Sequence, residues 1–77
     1  MERIYKRIGQ NVRKAREERG VSQLALALEM GHKAVGSVSL PELNLQRKHF
    51  NIEHLVKIAQ ILEIDDLACF FEGIWKE

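Results

Sequence analysis

Three histidines, one cysteine and two adjacent aspartates are the side chains of this sequence best suited to catalysis or metal binding. His32, His49 and His54 are scattered along the chain, and Cys69 stands alone in an apolar C-terminal stretch. None has the paired Cys/His spacing of a zinc site, so no metal is expected. Asp65 and Asp66 precede an apolar run, where carboxylates favour a helix start over acid–base work. Neither a glycine-rich phosphate loop nor a nucleophile elbow is present. The expectation is a protein with no enzyme active site and no cofactor.

Charge is the more informative property. The 77-residue chain has a net charge of only +1, but the charges are unevenly placed. Residues 1–50 carry ten Lys/Arg against five Asp/Glu, and residues 51–77 carry two against six. A basic first part (+5) joined to an acidic tail (−4) suits one surface facing a polyanion and another turned away from it. A chain this short buries only about 60–65% of the surface its unfolded form exposes, which favours one convex binding surface over a deep cleft. One domain spanning residues 1–77 is expected. The single cysteine cannot form an internal disulfide, the N-terminus lacks a signal-like apolar run, and nothing approaches a membrane span of roughly 20 apolar residues. These features predict a cytoplasmic protein with no membrane partner.

The elements that must position these charges read as helices. Low proline, five glycines and 45% hydrophobic residues rich in Leu, Ile and Ala predict an all-α fold of five helical segments. The first runs from about Glu2 to Arg19, with an apolar stripe of Ile4, Ile8, Val12 and Ala15, and Gly20 ends it. The second starts at the N-cap Ser22 and stops at Gly31. Its apolar residues cover more than one face, which predicts burial on several sides. The third, His32 to about Asn44, contains Gly36 and Pro41. Two forms stay open: a kinked helix, or a break in which Ser39 and Glu42 form a capping box with Pro41 in a new first turn. A basic loop from Leu45 to Phe50 follows. Asn51 caps a fourth helix carrying Ile52, Leu55, Ile58, Ala59 and Leu62, and Asp65 or Asp66 caps a fifth.

The stretch SQLALALEMG from Ser22 to Gly31, followed by VSLPE from Val38 to Glu42, resembles the Cro and lambda-repressor type of helix-turn-helix proteins, the XRE family. Ser22, Gln23, Leu26, Ala27, Met30, Gly31, Val38, Ser39 and Glu42 stand at the places of that family's motif. IGQNVRKAREERG upstream resembles its first helix and HLVKIAQILEI its fourth, so the likeness covers roughly residues 4–71. From Gly31 to Val38 the chain is one residue longer than is usual there, and Ala34, Val35 and Gly36 replace polar residues typical of the reading face.

The resemblance implies a five-helix lambda-repressor-like domain that binds double-stranded DNA. Its third segment would lie in the major groove, where base edges differ. Gln23 is marked as a phosphate or base-edge contact. Lys33, Ser37 and Ser39 are the polar candidates on the reading segment, and Arg47 and Lys48 would clamp the DNA backbone. On the last segment, Phe70/Ile74 and Phe71/Trp75 form two i, i+4 pairs. One pair would pack on the first helix and the other would join two copies in a homodimer, as repressors of this type often do. The expected function is a dimeric transcriptional regulator that binds specific DNA sequences. The alternative is a protein-interaction module on the same scaffold, with an antitoxin-like or other protein partner.

Overall fold

The computed structural model describes residues 1–75. Among the described residues there are four α-helices: α1 (Glu2–Glu18), α2 (Gln23–Glu29), α3 (Gly36–Leu43) and α4 (Ile52–Leu62). A short 3-10 helix (Leu67–Phe71) follows, and there is no strand among the described residues. The all-helical expectation holds, with one correction. The fifth segment is a five-residue 3-10 helix in place of an α-helix, opened by the Asp66 carboxylate, which accepts from the Ala68 amide, and Gly73 at φ +78° turns the chain away. Runs of 3-10 helix rarely extend further, because their side chains eclipse and their hydrogen bonds are poorly aligned.

Burial follows the stripes except at Ile52, the first residue of α4, which is 61% exposed because the helix start lies at the edge of the core. Ile8 and Val12 of α1, Leu26, Ala27 and Met30 around α2, Val38 of α3, Leu55, Ile58, Ala59 and Leu62 of α4, and Phe50 and Phe70 make one contiguous core. Ile4 and Ala15 pack against its edge. Each large side chain removed from water in this way contributes about 1.5–3 kcal/mol. On α2 the expectation fails: only Leu26 and Ala27 are buried, while Leu24 and Leu28 face solvent on the opposite side. No helix among the described residues is long and apolar enough to cross a membrane.

The caps fall where the side chains allow them. The Ser22 hydroxyl accepts from the Ala25 amide at 3.0 Å and starts α2. Asn51 accepts from the His54 amide at 2.8 Å, and His54 Nδ1 accepts from the Asn51 amide at 3.2 Å, closing a reciprocal box in which histidine takes the place of the usual Glu or Gln. The third segment resolves into one helix that begins four residues later than His32 and runs unbroken through Pro41. The break at Ser39 does not occur. The Ser39 amide already donates to the Val35 carbonyl at 2.9 Å, and the Glu42 carboxylate is committed elsewhere. Proline costs α3 one intrahelical bond, which would have ended on the Ser37 carbonyl. The helix then stops at Asn44, in the left-handed region, with the Leu45 amide donating back to the Leu40 carbonyl at 2.9 Å.

α1 and α3 meet at Gly9. A methyl group placed there would lie 2.5 Å from the carbonyl oxygens of both Pro41 and Glu42, so only glycine permits this approach. Beside it runs a buried ion pair. Arg16 Nε donates to Glu42 Oε2 at 2.7 Å, its second terminal nitrogen reaches Glu42 Oε1 at 3.3 Å, and the first donates to the Val21 carbonyl at 2.8 Å. Asn11 ties the C-terminal segment to α1, donating to the carbonyls of Phe70 and Glu72, each at 2.9 Å.

Candidate functional site

α2 ends at a tight turn. Gly31 adopts φ +89°, a value that costs a residue with a Cβ but not glycine, and the His32 amide then donates to the Ala27 carbonyl at 2.9 Å. Residues 32–35 lead from this turn into α3. Leu26, Ala27, Met30 and Val38 lie in the core on the inner sides of the pair. The Glu42 carboxylate, fully buried on α3, joins three elements: it accepts from Arg16 of α1 and from Gln23 of α2, whose amide nitrogen lies 2.9 Å from Oε1. The sequence places Glu42 in a motif but carries no sign that Arg16 is its partner. Sixteen is one of several basic positions on α1, and only the packing removes it from solvent.

Gln23 is therefore half-buried and anchored, with one amide N–H used inside the protein. Its carbonyl oxygen enters no hydrogen bond among the described residues. Ser37 and Ser39 are half-buried on α3, and neither hydroxyl is hydrogen-bonded among the described residues. Lys33, Arg47 and Lys48 are exposed and form no ion pair among the described residues. The basic loop has an unusual backbone. Gln46 and Arg47 both take positive φ, at 54° and 58°, and the Lys48 amide closes the turn on the Leu45 carbonyl at 2.9 Å. Two consecutive left-handed residues are typical of a type I′ turn, in which Asn and Gly are the usual occupants.

The histidines, scattered in sequence, gather in space. His32, His49 and His54 line one groove of about 390 Å³ together with Gly36, Ser37 and Lys48. His49 stacks on Tyr5, with ring centroids 3.8 Å apart. His54 meets His32 and Phe50 edge-on at 6.3 and 6.4 Å. Partial burial, and then the nearby His32, push the His54 pKa below its ordinary value. Among the described residues no three His, Cys, Asp or Glu side chains are grouped to hold a metal ion.

The C-terminal aromatic residues divide differently from the expected pairs. Phe70 is fully buried in the core, so it is not available to a second copy. Phe71 and Ile74 are half-buried, and Trp75 is 86% exposed. Because the 3-10 turn ends at Phe71, the i, i+4 pairing of a longer helix is lost. Phe71, Ile74 and Trp75 instead border an apolar groove of about 490 Å³ with Met1, Ile4 and Ile52. Two of the charges counted in the acidic tail, Lys76 and Glu77, lie outside the described residues. No family model matches the chain, and no curated protein matches it either.

Proposed function

We propose that this chain is a cytoplasmic transcriptional regulator of the Cro and lambda-repressor type, which binds duplex DNA as a homodimer and carries out no catalytic step. In this reading α2 and α3 are the helix-turn-helix, α3 enters the major groove, and the basic loop after it holds the phosphate backbone. One observation carries the reading. Lys33 and the Arg47–Lys48 pair flank α3 in solvent with no carboxylate partner among the described residues, while the carboxylate on α3 itself, Glu42, is buried against Arg16. The surface around α3 thus keeps its positive charge and loses the negative charge of Glu42, and the exposed carboxylate in the pair is Glu29 at the C-terminal end of α2. Phe71, Ile74 and Trp75 supply the apolar face on which a second copy would dock.

The test is a duplex DNA titration at two salt concentrations. Three phosphate-neutralising cations per protomer make six per dimer, which predicts an affinity loss of about a thousandfold between 50 and 200 mM salt. Replacing Arg47 and Lys48 by alanine lowers affinity evenly across sequences and flattens the salt dependence by about one contact per cation. Absence of binding to any duplex at low salt refutes the proposal.

One observation favours a second reading, a protein-interaction module. Leu24, Leu28, Val35 and Leu43 are all roughly half-exposed on the outer sides of α2 and α3, and exposed apolar clusters commonly mark protein contacts. A protein captured from cell extract through Leu24 and Leu28, with no duplex bound, decides for this alternative.

A further inference from the structure

Resting on the DNA-binding reading, the chemistry of the α3 surface goes further and names what that surface discriminates. The helix sequence GSVSLPEL contains no Arg, Lys, Asn or Gln. The side chains that pair bidentately with guanine or adenine are therefore missing from α3. Its one carboxylate, Glu42, is buried in the ion pair with Arg16. Asn44, at its C-terminal end, donates to Glu2 of α1.

What stands exposed at the start of α3 is apolar. Ala34 is in solvent and Val35 is 42% exposed, with Lys33 immediately before them. The N-terminal residues of a major-groove helix are the ones that reach base edges. Leu43, although also exposed, lies eight residues further on, about 12 Å along the helix axis, and is too far to share that contact. In the major groove the one apolar group on a standard base edge is the 5-methyl of thymine.

We propose that the Ala34–Val35 edge reads thymine methyl groups, so that the DNA recognised carries thymine at the base pairs facing the start of α3. Lys33, next to Ala34 in the chain, and Lys48, which lines the same groove as Ala34, hold neighbouring phosphates and keep that edge against the DNA. At those base pairs discrimination then comes from burying methyl against methyl, separately from any contact made by the Ser37 and Ser39 hydroxyls further along α3.

The test uses the full chain and a random-sequence duplex library. The most enriched duplex is resynthesised with deoxyuridine replacing thymine one position at a time, a change that removes only the methyl. Affinity falls about fourfold at each contacted position, the equivalent of one buried methyl, and is unchanged elsewhere. Val35→Ser binds the thymine and uracil duplexes with more nearly equal affinity. The inference is overturned if no single thymine-to-uracil change weakens wild-type binding, or if V35S keeps the whole preference. Those outcomes leave DNA binding itself intact. Failure to enrich or bind any duplex at low salt instead removes the DNA-binding reading, and this inference with it.

Discussion

Replacing Gly9 by alanine adds one methyl group at the place where α1 lies directly on the backbone of α3. On an exposed helix this change is favourable, because alanine gains about 1 kcal/mol over glycine. Here the added carbon meets the Pro41 and Glu42 oxygens at 2.5 Å. Carbon–oxygen contacts are comfortable only beyond about 3.3 Å, so the two helices must separate by roughly 0.8 Å. Flexible side chains absorb such a push, but these are carbonyl groups of a packed helix. Overpacking against two backbone carbonyls belongs in the upper part of the usual range, about 2–3 kcal/mol, which outweighs the propensity gain. Urea denaturation of Gly9→Ala is expected to show a net loss of about 1–2 kcal/mol, or a melting temperature lower by roughly 4–16 °C for a domain of this size. Gly36→Ala is the control. Its methyl meets only the Leu40 side chain at 3.7 Å, so at this first position of α3 it is expected to be neutral or to stabilise by up to about 1 kcal/mol, through the lower freedom of the unfolded chain. A Gly9→Ala protein as stable as the wild type refutes the claimed closeness of α1 and α3.

Three further outcomes follow from the same structure. Glu42→Gln leaves Arg16 buried without its counter-charge and is expected to cost about 3–5 kcal/mol, whereas the double replacement Arg16→Met with Glu42→Leu costs less than Arg16→Met or Glu42→Leu alone; denaturation of the four variants checks this. His54 has a pKa below 6.5 in the folded protein, so the unfolded chain binds its proton first. Its contribution to stability is complete above about pH 6.5 and is lost as pH falls through the lowered value. Melting temperatures between pH 7.5 and 5 should therefore decline, and His54→Gln, which keeps a side chain able to close the N-terminal box, should reduce the decline. Trp75→Ser removes the most exposed aromatic group at the border of the apolar groove and is expected to leave the fold intact but raise the dimer dissociation constant. A sedimentation value at monomer mass for wild-type protein at all concentrations would refute that dimer.

Local signals in the sequence determine the existence and edges of most elements. Ser22 and Asn51 cap α2 and α4 because short polar side chains satisfy free amides wherever a helix begins there. The stripes on α1 and α4 foretell most of what those helices bury, Ile52 excepted, since a period near 3.6 puts these residues on one side. The tertiary structure alone decided what such patterns leave out. Arg16 resembles its basic neighbours until α3 brings Glu42 beside it, and three distant histidines share a groove only because the turn after α2 and the start of α4 lie together. α2 has apolar residues on several sides, and only its neighbours determine that Leu26 and Ala27 are buried while Leu24 and Leu28 are not. At the C-terminus the i, i+4 spacing suggests a full helix, but Phe70 is drawn into the core and Asn11 holds the backbone around it, leaving a short 3-10 helix. Periodicity and caps act within a few residues along the chain. Which surface is covered, and which charge is neutralised, depends on groups far apart in sequence.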